Sequence, residues 1–151
     1  MRWVVALAFA AGLWAADPPE QPIPFSHKLH AGTAKFPCKM CHPNPDPGEA
    51  MTIAPASTCM QCHSVVKADT PAIRQLAQYA KEAKEIPWVR LYQTKDFVWF
   101  SHRSHAKAAC ADCHGPVAGS EKLAKDGDIS MGACMTCHQM RKVRFDCRFC
   151  H

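Results

Sequence analysis

The chain has 151 residues, which is room for one domain with at most a very small second. Its 48% hydrophobic content looks ordinary, but that figure includes an N-terminal apolar run and ten cysteines. The formal charge of +5 would suit nucleic acid or acidic lipid. Any attached group that carries carboxylates would reverse that sign, and nucleic acid is not expected as a partner.

In chain order, residues 1–16 read as a signal peptide: Arg2, an apolar run from Trp3 to Trp14, then Ala15-Ala16 before Asp17. Cleavage is expected near Ala15 or Ala16. The run falls well short of the roughly 20 apolar residues of a spanning helix, and no other segment comes closer. No transmembrane segment is therefore expected in the mature chain. Its expected place is the periplasm, or otherwise outside the cytoplasmic membrane, in an oxidising compartment. Residues 17–24 are Pro-rich and predict an extended, mobile start.

A first unit, residues 25–69, opens with Phe25-Ser26-His27-Lys28-Leu29-His30-Ala31 and continues to Cys38-Lys39-Met40-Cys41-His42 and Cys59-Met60-Gln61-Cys62-His63. Pro43, Pro45, Pro47 and Pro55 break any long helix there. Residues 70–99 form a link. Thr70-Pro71 reads as an N-cap followed by proline at the first helical position. Ile73, Leu76, Ala77 and Ala80 keep helical spacing, which predicts a helix over 71–84. From Ile86 to Phe100 an extended crossing segment is expected, packing Trp88, Tyr92 and Trp99 against cofactor faces. Residues 100–151 then repeat the opening phrase as Phe100-Ser101-His102-Arg103-Ser104-His105-Ala106. They carry Cys110-x-x-Cys113-His114, Cys134-x-x-Cys137-His138 and Cys147-x-x-Cys150-His151.

All ten cysteines thus fall into five C-x-x-C pairs, each followed at once by histidine. Two cysteines three apart can each form a thioether to one vinyl group of haem, and the next residue offers its imidazole to the iron. That makes C-x-x-C-H the attachment signature of c-type haem. The expected cofactor is five covalently bound haem c, with His42, His63, His114, His138 and His151 as proximal iron ligands. Zinc would not need a histidine after every pair, and no cysteine is left over for a disulfide framework.

The other four histidines are His27, His30, His102 and His105. Histidines three apart on one helical turn project to the same side, so each H-x-x-H pair can present its rings to two different haems. Phe25 to Ala31 maps onto Phe100 to Ala106 at an offset of 75, and Cys59 onto Cys134 at the same offset. Cys38 and Cys110 are offset by 72, so the second copy has a shorter first loop and a longer second one. The reading is a duplicated two-haem unit. The fifth motif, Cys147 to His151, has no counterpart in the first copy. Five irons therefore face four distal histidines. A methionine thioether is the first substitute considered, since Met raises the potential of c-type haem. Met131 ranks ahead of Met51 and Met140, because it sits in a glycine-flanked loop between two haem sites; lysine or an open iron stay possible.

Without the leader, roughly 27 residues remain per haem, too few to wrap each in its own pocket. The expected fold class is mostly α with large irregular content and little or no sheet, the haems themselves supplying the core.

The pattern F-S-H-x-x-H followed by two C-x-x-C-H motifs, across residues 25–151, resembles class III multihaem cytochromes c. Phe97-Val98-Trp99-Phe100-Ser101-His102, Cys113-His114-Gly115-Pro116-Val117 and Ser130-Met131-Gly132 resemble the pentahaem subunit of bacterial alternative complex III and related quinol oxidoreductases. The resemblance implies His27, His30, His102 and His105 as distal ligands. It also implies other redox proteins, or a membrane quinol oxidoreductase complex, as partners.

The function expected is electron transfer through closely packed, mainly bis-histidine haems, with no catalytic residue and no small-molecule substrate. The rival reading is a small reductase of nitrite, hydroxylamine or a sulfur oxyanion at an open fifth iron. A third is an electron-transfer subunit of a membrane complex.

Overall fold

A computed structural model describes residues 17–43 and 50–151. The leader, with its expected cleavage point, and Pro45 and Pro47 lie outside the described residues. Six α-helices follow in chain order: α1 (Cys38–Cys41), α2 (Ala56–His63), α3 (Pro71–Lys81), α4 (Cys110–His114), α5 (Met131–Met140) and α6 (Cys147–Cys150). A π-helical turn at Lys28–Thr33 and a 3-10 turn at Val117–Gly119 complete the regular structure, with no strand among the described residues. The fold is helical with large irregular content, as expected. None of the described helices is long and apolar enough to cross a membrane.

The linking helix shows why this sequence folds as it does. The Thr70 hydroxyl accepts from the Ile73 amide at 3.4 Å, and Pro71 occupies the first turn, where its missing N–H costs nothing. Ile73 and Leu76 then bury one face against Ala56 of α2, Ile23 and Ile86. Each aliphatic side chain so buried stabilises by about 1.5–3 kcal/mol. The helix ends at Lys81 rather than at residue 84. Ala83 takes φ 51°, the Lys84 amide donates to the Tyr79 carbonyl and the Ala83 amide to the Ala80 carbonyl. This paired closure ends a helix from the left-handed position after its cap. Lys142 (φ 54°) closes α5 identically, through Val143 to His138 and itself to Gln139.

The Pro-rich start is extended but anchored. The Gln21 side-chain amide donates to the Val89 carbonyl at 3.0 Å and accepts from the Val89 amide at 2.9 Å, and Ile23 is buried in the core. Trp88 also packs on that core. The crossing segment from Ile86 to Phe100 carries no helix, as expected.

That apolar core is small and belongs to the first half and the link. No described residue from 87 to 151 is buried, and no described side chain is fully buried. Trp99 is 80% exposed, Met140 72% and Phe97 64%. A chain this short cannot order three further helices and long loops around nothing. The arrangement needs a core that is not protein.

The two repeats dock on each other through the π-turn and the 3-10 turn. The Lys28 amide donates to the Ser120 carbonyl at 3.0 Å, and the Ser26 hydroxyl donates to Glu121 at 2.6 Å. Gly32 lies so close to the Ala118 carbonyl that a Cβ would meet its oxygen at 2.4 Å.

Candidate haem-binding sites

Each C-x-x-C-H motif forms a helical turn. In α1 the His42 amide donates to the Cys38 carbonyl at 2.9 Å, and in α6 the His151 amide donates to Cys147 at 3.1 Å. That turn puts both thiols on one side and the imidazole beside them. The sites are numbered one to five here in motif order. All ten thiols are free of disulfides. Burial raises the thiols of Cys41, Cys59, Cys110, Cys113 and Cys134, helped by neighbouring cysteines.

The histidines outside the motifs meet those inside them pairwise. Ring centres of His27 and His42 are 6.3 Å apart with planes 2° from parallel; those of His102 and His114 are 6.4 Å and 4°. His30 and His63 are 6.0 Å apart at 52°, and His105 and His138 are 5.9 Å apart at 37°. Two imidazoles bound trans to one metal, each with a bond of about 2.0–2.1 Å, have ring centres about 6 Å apart. The four pairs fit an iron between them. The two copies also agree with each other: the first histidine of each phrase makes the near-parallel pair, the second the tilted one.

Backbone carbonyls orient most of the rings. The Nδ1 atoms of His30 and His105 lie 2.9 and 2.8 Å from the Ser26 and Ser101 carbonyls. Those of His42, His63, His138 and His151 lie 3.3, 3.0, 2.6 and 3.1 Å from the carbonyls of Thr52, Val66, Arg144 and Phe97. A carbonyl only accepts, so each Nδ1 carries the proton and each Nε2 is left with the lone pair a metal needs. The buried Nδ1 of His27 has no such partner. Burial, then His42 and His30, lower the His27 pKa; burial, then His102 and His42, lower that of His114. Both shifts favour the neutral, ligating ring.

The phrase F-S-H-x-x-H has structural content beyond its histidines. The Phe25 ring meets His27 edge-on at 4.9 Å and stacks on His30 at 4.4 Å; Phe100 meets His102 at 4.8 Å and His105 at 4.6 Å. The repeat itself was the signal for these two phenylalanines, which the histidine count passes over. Tyr92, one of the three expected aromatic packers, stands edge-on to His114 at 4.6 Å. Its hydroxyl donates to the His114 carbonyl and accepts from the Gly127 amide. Trp99 has its amide held by the Cys150 carbonyl, and no described protein side chain covers its ring.

The expected helical turn is present at His30 but not at His105. His102 to Lys107 form successive turns, with the His105 amide donating to His102. The first copy has eight residue steps from its second histidine to the motif and the second only five, so a π-turn equivalent to Lys28–Thr33 would leave one connecting residue in place of four.

His151 has no imidazole opposite it, since the other eight histidines are paired among themselves. Its ring neighbour is Phe97, at 5.6 Å. Met131 heads α5, 68% exposed, one turn before Cys134, a thiol whose surroundings include Cys150. Met140, at the other end of α5, lines a cleft of about 710 Å³ with Cys137, Asp112 and Arg141. Met51 lies next to Thr52, in the first unit.

The model of the Class III cytochrome C family matches residues 76–151, from within α3 to the last motif. The chain is also 38% identical over 117 residues to a protein of Nitratidesulfovibrio vulgaris (strain Hildenborough) named "Menaquinone reductase, multiheme cytochrome c subunit". The alignment covers 74% of this chain and 55% of that protein, so the chain spans about half the length of this relative. Paired imidazoles, free C-x-x-C thiols and a missing protein core agree with that match: the chain is a multihaem cytochrome of the class III cytochrome c family.

Proposed function

We propose that the chain binds five haem c groups, one per motif, and carries electrons outside the cytoplasmic membrane as the cytochrome subunit of a membrane quinone-oxidoreducing complex. The observation that carries this reading is the near-constant spacing, 5.9 to 6.4 Å, of the four imidazole pairs. The relative's name supports the choice of complex, and the leader-like residues 1–16 support the location.

Haem, when bound, supplies an iron that takes up and gives back single electrons. The ten cysteines would tether the haems, and the motif histidines would each hold one iron. His27, His30, His102 and His105 would each supply a second imidazole to one of four irons. The carbonyls of Ser26, Ser101, Thr52, Val66 and Arg144 hold the rings in the tautomer whose Nε2 would be free to ligate. Met131 is the residue proposed to complete the ligands of an iron at His151, because it heads α5 one turn before Cys134, a thiol on which Cys150 acts electrostatically. Two imidazoles favour low potential and a thioether a higher one, which makes site five the electron-accepting end.

Intact-mass analysis of the matured protein is expected to give the increments of five haems. Native electrophoresis of a mild detergent extract is expected to place its haem stain with a membrane complex. Fewer haems would overturn the five-site reading; haem migrating at the free chain's mass alone would overturn the subunit role.

A further inference from the structure

The duplicated units meet in a particular sense. Within the first unit the Phe25 ring touches both distal histidines, so sites one and two are neighbours; Phe100 does the same for sites three and four. Arg141 of α5 pairs with Asp112 of α4 at 3.2 Å, a second link between sites three and four. Phe149, inside the fifth motif, lies 6.4 Å from the His138 ring, so site five adjoins site four.

The junction between the units lies at sites one and three. The Lys28 to Ser120 bond and the close approach of Gly32 to Ala118 join the two copies there. Cys38 and Cys110 are near enough to act on each other electrostatically, as are His42 and His114. Sites one and three are equivalent positions of the repeat, so the copies join head to head, as a two-fold dimer joins like to like. The electrostatics agree elsewhere: Cys41 acts on Cys59, Cys137 on Cys113, and Cys150 on Cys134.

We propose that the five sites form one unbranched row in the order two, one, three, four, five, which is not their order in sequence. The proposal rests on the five-haem reading above. Sites one, three and four each have two neighbours; sites two and five each have one and are the ports of the row. Duplication alone would make a symmetric row, two-one-three-four, with equivalent ends. The added fifth motif breaks that symmetry and places the iron without a second histidine at one end. A row with unlike ends gives electron flow a direction, and redox partners exchange electrons at His63 on one side and His151 on the other.

The test is proton NMR of the reduced holoprotein. Each haem is assigned to its motif through contacts with its own thioether cysteines and histidine. Cross-relaxation between haems is expected for the pairs two–one, one–three, three–four and four–five. Five haems by mass with cross-relaxation between sites two and three, two and four, or one and five would overturn the order and leave the electron-carrier reading intact. Fewer than five haems by mass would overturn both.

Discussion

His27 and His42, fifteen residues apart in sequence, face each other with ring centres 6.3 Å apart and planes within 2° of parallel. His27 reaches this position from the edge of the π-turn, His42 from the end of α1. Replacing His27 by Ala removes one imidazole of the pair and leaves the thiols of Cys38 and Cys41 in place. The His27→Ala protein is expected to carry the same number of haems by mass. Its electron paramagnetic resonance spectrum should gain a high-spin ferric signal from one of them. An unchanged low-spin spectrum would remove His27 from the ligand set.

Met131→Ala tests the odd site. With Met131 on the iron at His151, the substitution lowers the highest potential in a redox titration, because a thioether ligand raises the potential of c-type haem. Met140→Ala is the control and should leave that potential alone, since Met140 lines the cleft beside Cys137. If the two variants titrate alike, Met131 is not a ligand.

Gly32→Ala tests the junction of the repeats. Its Cβ would meet the Ala118 carbonyl oxygen at 2.4 Å, a backbone atom that cannot turn away. Forced overpacking of this kind costs about 1–3 kcal/mol. The melting temperature should fall by several degrees. Gly119→Ala adds the same atom where nothing lies within 4 Å, and is expected to be near neutral.

Ala83→Gly should stabilise. Ala83 holds φ 51° to close α3, a conformation that strains any residue with a Cβ by about 1–2 kcal/mol. Glycine relieves that strain but loses more freedom on folding, leaving a net gain of about 0.5–1 kcal/mol. Denaturant unfolding measures it. A loss of stability would mean that the closure of α3 depends on the Ala83 methyl group.

Glu121 gives the junction an acid limb. The Ser26 hydroxyl holds its carboxyl below the usual range, and Lys28 adds to that. A carboxyl with a depressed folded pKa contributes stability above its unfolded value, here 4.5, and loses it as pH falls through the folded value. The side chain is exposed, so the contribution is small. Thermal melts at stepped pH should show the parent losing stability relative to Glu121→Gln below about pH 4.5, with no such divergence above it.

The haem-binding motifs were legible in the sequence because their chemistry is local. Two thiols and an imidazole at spacings of three and one share a single helical turn wherever that turn lies, so Cys38-x-x-Cys41-His42 reads alike in any context. The linking helix was legible for the same reason, from Thr70-Pro71 and the spacing of Ile73 and Leu76. Its end was missed because Ala83 is a poor signal for a left-handed position that glycine normally marks. The repeat announced a duplication, and the shortage of chain announced that protein alone could not fill the core.

Which histidine faces which, and which site neighbours which, was decided by tertiary structure alone. Those relationships join His102 to His114 across a loop, and site one to site three across α3 and the crossing segment. Residue spacing holds no information about such pairs, since loop closure costs nearly the same for many alternative partners. Packing selects among them. Gly32 admits the Ala118 carbonyl, the Lys28 amide bonds to Ser120, and Phe25 and Phe100 each pack against both histidines of their own phrase.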